Sequence, residues 1–166
     1  MHRRNPRVAA SFLALFFLGA VAGAEVRLAG VFSDNMVLQR DMPVPVWGWA
    51  EPGEKVLVTF GEQSVEGEAD ADGRWQVMLD PVPASSQPAD LVAEGGNTIR
   101  AGNVLVGEVW VCSGQSNMQW NVANSNDAEA EIADAKNYPA IRLLTVPNAT
   151  SDKPLQDITA SWAVCD

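Results

Sequence analysis

The sequence predicts a β-sandwich module followed by the beginning of an α/β domain. Two observations carry this expectation. Residues 25–106 hold short β-branched and aromatic runs separated by turn residues, with almost no helical period. From residue 107 the pattern changes to a continuous apolar run, a helical segment and a second apolar run. That is the strand–helix–strand order of a βαβ unit.

The first 24 residues read as an address rather than as part of the fold. Arg3, Arg4 and Arg7 form a positive region, residues 8–21 are apolar and uncharged, and Ala22-Gly23-Ala24 supplies small residues for a signal peptidase. The apolar run is short for a membrane span of about 20 residues. Cleavage is expected after Ala24, with Glu25 as the mature N-terminus, giving a secreted or periplasmic protein that has no membrane association after cleavage. Removing three Arg and no acid leaves eight Lys and Arg against 21 Asp and Glu, a net charge of −13 over 142 residues. An acidic chain of this kind is unsuited to holding nucleic acid or anionic lipid by electrostatics.

Within the first module, Val44-Pro45-Val46-Trp47-Gly48-Trp49 is β-branched and aromatic, and Val56, Val58 and Phe60 alternate with Leu57 and Thr59. Gly61-Glu62 marks a turn, and residues 65–69 follow it as a strand. Asp72-Gly73 reads as a hairpin turn before alternating Trp75, Val77 and Leu79. Residues 81–89 are rich in Pro and Ser and read as a loop. Gly95-Gly96-Asn97 is a turn between strands at 91–94 and 98–106.

In the second part, 107–166, Val109-Trp110-Val111-Cys112 reads as a strand buried on both faces. A helix follows from about Ser125 to Ala135, with Asn126 and Glu129 spaced as a capping box. Its apolar stripe is thin (Ala128, Ile132 and Ala135), and Pro139 stops it. Residues 141–146 read as the next strand. One βαβ unit cannot bury both faces of its sheet, so the α/β part is read as truncated.

Two cysteines, Cys112 and Cys165, both lie among apolar neighbours. A disulfide and two buried thiols are both open, since export permits either. The single histidine is His2, so the mature chain holds no imidazole.

The segment with chemical potential is Ser113-Gly114-Gln115-Ser116-Asn117. A serine in a tight turn after a buried strand is how α/β hydrolases lift a nucleophilic Oγ out of the sheet edge. Such a turn also aims backbone N–H groups at a developing oxyanion. The segment is not the G-x-S-x-G elbow, because residue 118 is Met. On spacing alone, Ser116 as a solvated hydroxyl or a helix cap stays open.

Gly107-Glu108-Val109-Trp110-Val111-Cys112-Ser113-Gly114-Gln115-Ser116-Asn117-Met118-Gln119-Trp120 resembles the nucleophile segment of the sialate O-acetylesterase family, which are SGNH-type carbohydrate esterases. The stretch Leu28-Ala29-Gly30-Val31-Phe32-Ser33-Asp34-Asn35-Met36-Val37-Leu38-Gln39-Arg40 resembles that family's opening motif. Val46-Trp47-Gly48-Trp49-Ala50-Glu51-Pro52-Gly53-Glu54, Ile141-Arg142-Leu143 and Trp162-Ala163-Val164-Cys165 are similar to further stations in the same order.

The resemblance implies an SGNH hydrolase-like, flavodoxin-like second domain and a carbohydrate O-acetylesterase. Ser116 is the implied nucleophile, its own N–H an oxyanion donor, and Gln115 and Asn117 turn-shaping or substrate-contacting groups. Trp120 is open between a pocket rim and a core position. The implied substrate is an acetylated carbohydrate, sialic acid or a xylan-type glycan, and no metal or organic cofactor is needed. The family's later Gly and Asn oxyanion donors and its Asp-x-x-His segment have no counterparts in this sequence. A serine hydroxyl needs a base within hydrogen-bond reach. The chain is therefore expected to be inactive, or nearly so, by itself. The competing expectation is a non-catalytic carbohydrate-binding β-module. Trp47, Trp49, Trp75 and Trp110 are open between a sugar platform and core positions.

Overall fold

The computed structural model describes residues 25–165. The expected signal peptide, 1–24, lies outside these residues. The strands in chain order are β1 (Arg27–Leu28), β2 (Val37–Gln39), β3 (Val44–Trp49), β4 (Lys55–Phe60), β5 (Gln63–Glu68), β6 (Arg74–Leu79), β7 (Ser85–Glu94), β8 (Thr98–Gly107), β9 (Arg142–Leu144) and β10 (Trp162–Val164). One α-helix, α1, spans Ala128–Ala135.

Period-2 alternation determines which side chains turn inward. β3 buries Val44, Val46 and Gly48, and β6 buries Trp75, Val77 and Leu79. These strands pair antiparallel, with Val46 opposite Val77 and Gly48 opposite Trp75. β1 completes a three-stranded sheet in the order β1-β3-β6. The second sheet runs β2-β8-β7-β4-β5. It is mixed: β2 pairs parallel to β8, and the other neighbours are antiparallel. Its inward residues Val56, Val58, Leu91, Ala93 and Val104 join those of the first sheet in one hydrophobic core. The protein is thus mostly β-sheet, with a mixed sheet and a single helix among the described residues.

The turns follow their residues. Gly61, at φ +58°, occupies the first central position of a two-residue connection between Phe60 and Gln63, the geometry of a type II′ hairpin. Gly95 N–H donates to Asn97 O at 2.9 Å and closes the β7–β8 hairpin. The Asp72-Gly73 turn differs from the expected hairpin, because β5 and β6 belong to different sheets. Here the chain crosses from one sheet to the other. Asp70 Oδ1 accepts the N–H groups of Asp72 and Arg74, and Gly73 N–H donates to Asp70 O at 2.9 Å. The Asp-Gly signal reports the local turn and carries no information on which strand pairs next.

The expected loop at 81–89 is half strand. β7 begins at Ser85 and includes Pro88, and the ladder with β8 shifts register between Ser85, Ala89 and Leu91. Proline has no N–H for a ladder, and an irregular stretch of this kind is where a sheet accommodates it.

The largest departures lie beyond Gly107. Residues 109–112 form no strand, and Trp110 and Val111 are 83% and 91% exposed. A strand buried on both faces needs neighbours on its edges and layers above and below it. Among the described residues Val109 N–H meets only the Gln39 side chain, at 2.9 Å, and residues 109–112 pair with no strand. The expected capping box is also absent. The residue before α1 is Asp127, in left-handed conformation at φ 56°, and no side chain caps the helix. β9 pairs antiparallel with β10, so the described residues contain no parallel βαβ pairing.

The β9–β10 pair docks on the connection between β1 and β2 through polar contacts. Trp162 Nε1–H donates to Val31 O at 2.8 Å, and the Trp162 N–H donates to Ser33 Oγ at 3.4 Å. Arg142 donates to Asn35 Oδ1 at 3.3 Å. No helix among the described residues is long and apolar enough to cross a membrane.

Candidate functional site

Ser116 opens a short 3₁₀ turn, Ser116–Gln119, and Gln115 is the residue before it, at φ −107° and ψ −149°. Met118 N–H donates to Gln115 O at 2.8 Å, and Trp120 N–H to Asn117 O at 3.3 Å. A Cβ at Gly114 would lie 2.5 Å from Met118 Cγ, so a side chain there would make the exposed Met118 side chain shift. Ser116 does not act as a helix cap, since the turn has no side-chain capping bond and Ser116 is its first residue. Its Oγ is exposed and makes no hydrogen bond among the described residues.

The chain after Ser116 is held by its own local bonds. A second 3₁₀ turn spans Val122–Asn124. Trp120 Nε1–H reaches Asn124 O at 3.0 Å, and Asn124 Nδ2 donates to Asn121 Oδ1 at 2.8 Å. Trp120 remains 64% exposed and is not a core residue. Gln115, Ser116 and Asn117 therefore sit together on one exposed turn, with Trp120 one turn further along.

Chemically, this turn presents an unactivated hydroxyl. No histidine exists in the chain after His2. Among the described residues no group of three His, Cys, Asp or Glu side chains is placed to hold a metal. Cys112 and Cys165 are not bridged, and Cys112 is exposed rather than buried.

A polar cluster that sequence reading missed ties the two parts together. Asp157 accepts the Gly30 N–H at 2.7 Å on Oδ1 and the Ile158 N–H at 3.0 Å on the same atom. Its Oδ2 accepts from Arg27 at 2.7 Å. Burial raises the pKa of this carboxyl, but hydrogen bonds from Gly30, Arg27 and Ile158 outweigh burial and hold it below the usual Asp value. The Arg27 guanidinium in turn lies 3.7 Å from the centre of the Trp49 ring, a cation–π contact. Nothing in the local sequence signals this cluster, because its partners are 127 and 130 residues apart.

The four tryptophans separate into three environments. Trp75 is core, at 2% exposure. Trp47 and Trp49 are half-buried on the outward face of β3, with Trp47 in an edge-to-face contact with Phe32 at 4.7 Å. Trp110 is exposed.

No protein-family model matches the chain. The mouse protein named sialate O-acetylesterase is 32% identical over 157 residues, which are 86% of this chain and 29% of that protein. The human protein of the same name is 33% identical over 154 residues, 84% of this chain and 29% of its own length. The chain belongs to the sialate O-acetylesterase family. It spans about 29% of the length of these curated family members. The fold agrees with the family assignment. The crystal structure of a carbohydrate acetylesterase from Xanthomonas citri superposes with a TM-score of 0.81 at 35% identity, over 85% of this chain and 33% of that one.

Proposed function

We propose that this chain carries the nucleophile segment of an exported carbohydrate O-acetylesterase, with Ser116 as the nucleophile. In this reading residues 1–24 are a cleaved signal peptide for a secreted or periplasmic destination. Residues 25–106 are a β-sandwich module, and residues 107–166 begin an SGNH-type α/β domain. The observation that carries the reading is the exposed Ser116 turn that follows Gly114-Gln115, in a chain whose family members are named as sialate O-acetylesterases.

The chemistry follows from the hydroxyl. A histidine outside this sequence takes the Ser116 proton as Oγ attacks the acetyl carbonyl, and an aspartate holds the imidazole tautomer. The Ser116 N–H stabilises the oxyanion, an acetyl-enzyme forms as the sugar hydroxyl leaves, and water releases acetate. Gln115 and Asn117 shape the turn or contact the sugar. The substrate is an acetylated glycan, of sialic acid or xylan type, and the reaction uses no metal or organic cofactor. Since the chain has no imidazole after His2, it lacks the base and is inactive alone.

Grafting residues 25–166 in place of the matching segment of the Xanthomonas citri acetylesterase tests this reading. The chimera is expected to hydrolyse p-nitrophenyl acetate, and Ser116→Ala is expected to abolish that activity. A chimera that folds and remains active with Ser116→Ala would overturn the assignment. Robust hydrolysis by the chain alone, lost in Ser116→Ala, would overturn its inactivity.

A further inference from the structure

The outward face of the three-stranded sheet holds a cleft that the esterase reading does not use. It has a volume of about 820 Å³, and Trp47, Trp49, Glu68, Asp70, Arg74 and Gln76 are among its lining residues. Leu155 and Gln156, next to Asp157, also line it. Arg27 ties this segment to Trp49: it binds the Asp157 carboxylate and stacks on the Trp49 ring at the same time. The cleft is therefore held by an ion pair and a ring contact at its edge.

The residue set points to a ligand: half-buried Trp47 and Trp49 lie with exposed Arg74 and Gln76 on this outward face. Indole rings present flat apolar surface, and planar carboxylate, guanidinium and amide groups present paired donors and acceptors. Together these match a pyranose ring, which has an apolar face and a rim of hydroxyls.

Charge selects the class of sugar. Glu68 and Asp70 oppose the single guanidinium of Arg74, and the whole chain carries a net charge of −10. An anionic sugar would meet net repulsion here. We propose that this cleft is a binding subsite for a neutral glycan, separate from the Ser116 turn and independent of its chemistry.

The test titrates the full chain with a panel of neutral xylo-, manno-, gluco- and galacto-oligosaccharides and with sialyllactose. Tryptophan fluorescence and calorimetry are the readouts. Saturable binding of at least one neutral member is expected, with sialyllactose weaker. Trp47→Ala and Gln76→Ala are each expected to weaken it by about tenfold, equivalent to about 1.4 kcal/mol. Ser116→Ala is expected to leave it unchanged, which separates this proposal from the esterase reading. Gln76 is exposed on the sheet face, so its variant decides the matter if Trp47→Ala does not fold. Saturation by no neutral sugar, tighter binding of sialyllactose, or undiminished binding in a folded Gln76→Ala would overturn the proposal.

Discussion

Asp157 Oδ1 accepts the backbone N–H of Gly30 at 2.7 Å, across 127 residues of sequence. The same carboxylate receives Arg27 and the Ile158 N–H, so it fastens the chain before β10 to the chain after β1. Removing it leaves two backbone donors and a guanidinium to find water. Asp157→Ala is expected to lower stability by about 1–3 kcal/mol, read by chemical denaturation.

The same carboxylate gives a pH dependence with a definite sign. Its folded-state pKa lies below the ordinary Asp value, so the unfolded chain binds the proton more readily. The stabilisation is fully present above about pH 3.9 and is lost as pH falls below it. Asp157→Asn keeps an acceptor oxygen but does not titrate. Thermal melts between neutral pH and acid should therefore fall less steeply for Asp157→Asn than for the wild type. Equal slopes would show that the clasp contributes nothing to acid sensitivity.

Gly30 is the other half of the clasp. A Cβ there would run into the carbonyl oxygen of Ile158. Gly30→Ala is expected to push the 157–158 segment off the strand ends rather than to unfold the core. Hydrogen exchange should show faster exchange at Ile158 and Trp162, with β3 and β6 still protected.

Trp75 fills the core opposite Gly48, where its Cζ2 would lie 2.8 Å from any Cβ added to that glycine. Trp75→Ala should cost about 3–5 kcal/mol by loss of burial and creation of a cavity. Ser116→Ala is its contrast. Ser116 is exposed, so the change should alter stability by less than about 0.5 kcal/mol. Denaturation midpoints of the two variants check both statements.

Trp110 and Val111 form an exposed apolar pair, and Met118 and Trp120 further along the chain are exposed as well. Val111→Lys is expected to reduce binding of a hydrophobic dye and self-association without changing the melting temperature, because the side chain makes no core contact. A fall of several degrees in melting temperature would contradict this.

Local signals in the sequence determined much of this protein. Alternation identified the inward residues of β4 and β6, β-branched and aromatic content identified β3, and Gly61 and Gly95-Gly96-Asn97 identified two hairpins. The Ser116 turn was also legible, because Gly114 and Asn117 flank the serine as turn residues. These are properties of a few neighbouring residues, set by backbone sterics and side-chain period.

Tertiary structure decided what each element meets. It sent the chain from β5 into a different sheet at Asp72-Gly73, although that dipeptide elsewhere closes hairpins. It left 109–112 without a ladder, since a buried strand is defined by its neighbours and not by its own apolar residues. It brought Arg27, Trp49, Gly30 and Asp157 together, and turned Trp47 outward while Trp75 turned inward. Contacts across more than 120 residues leave no periodic trace in either partner, because each side chain is chosen by the surface that folding places against it.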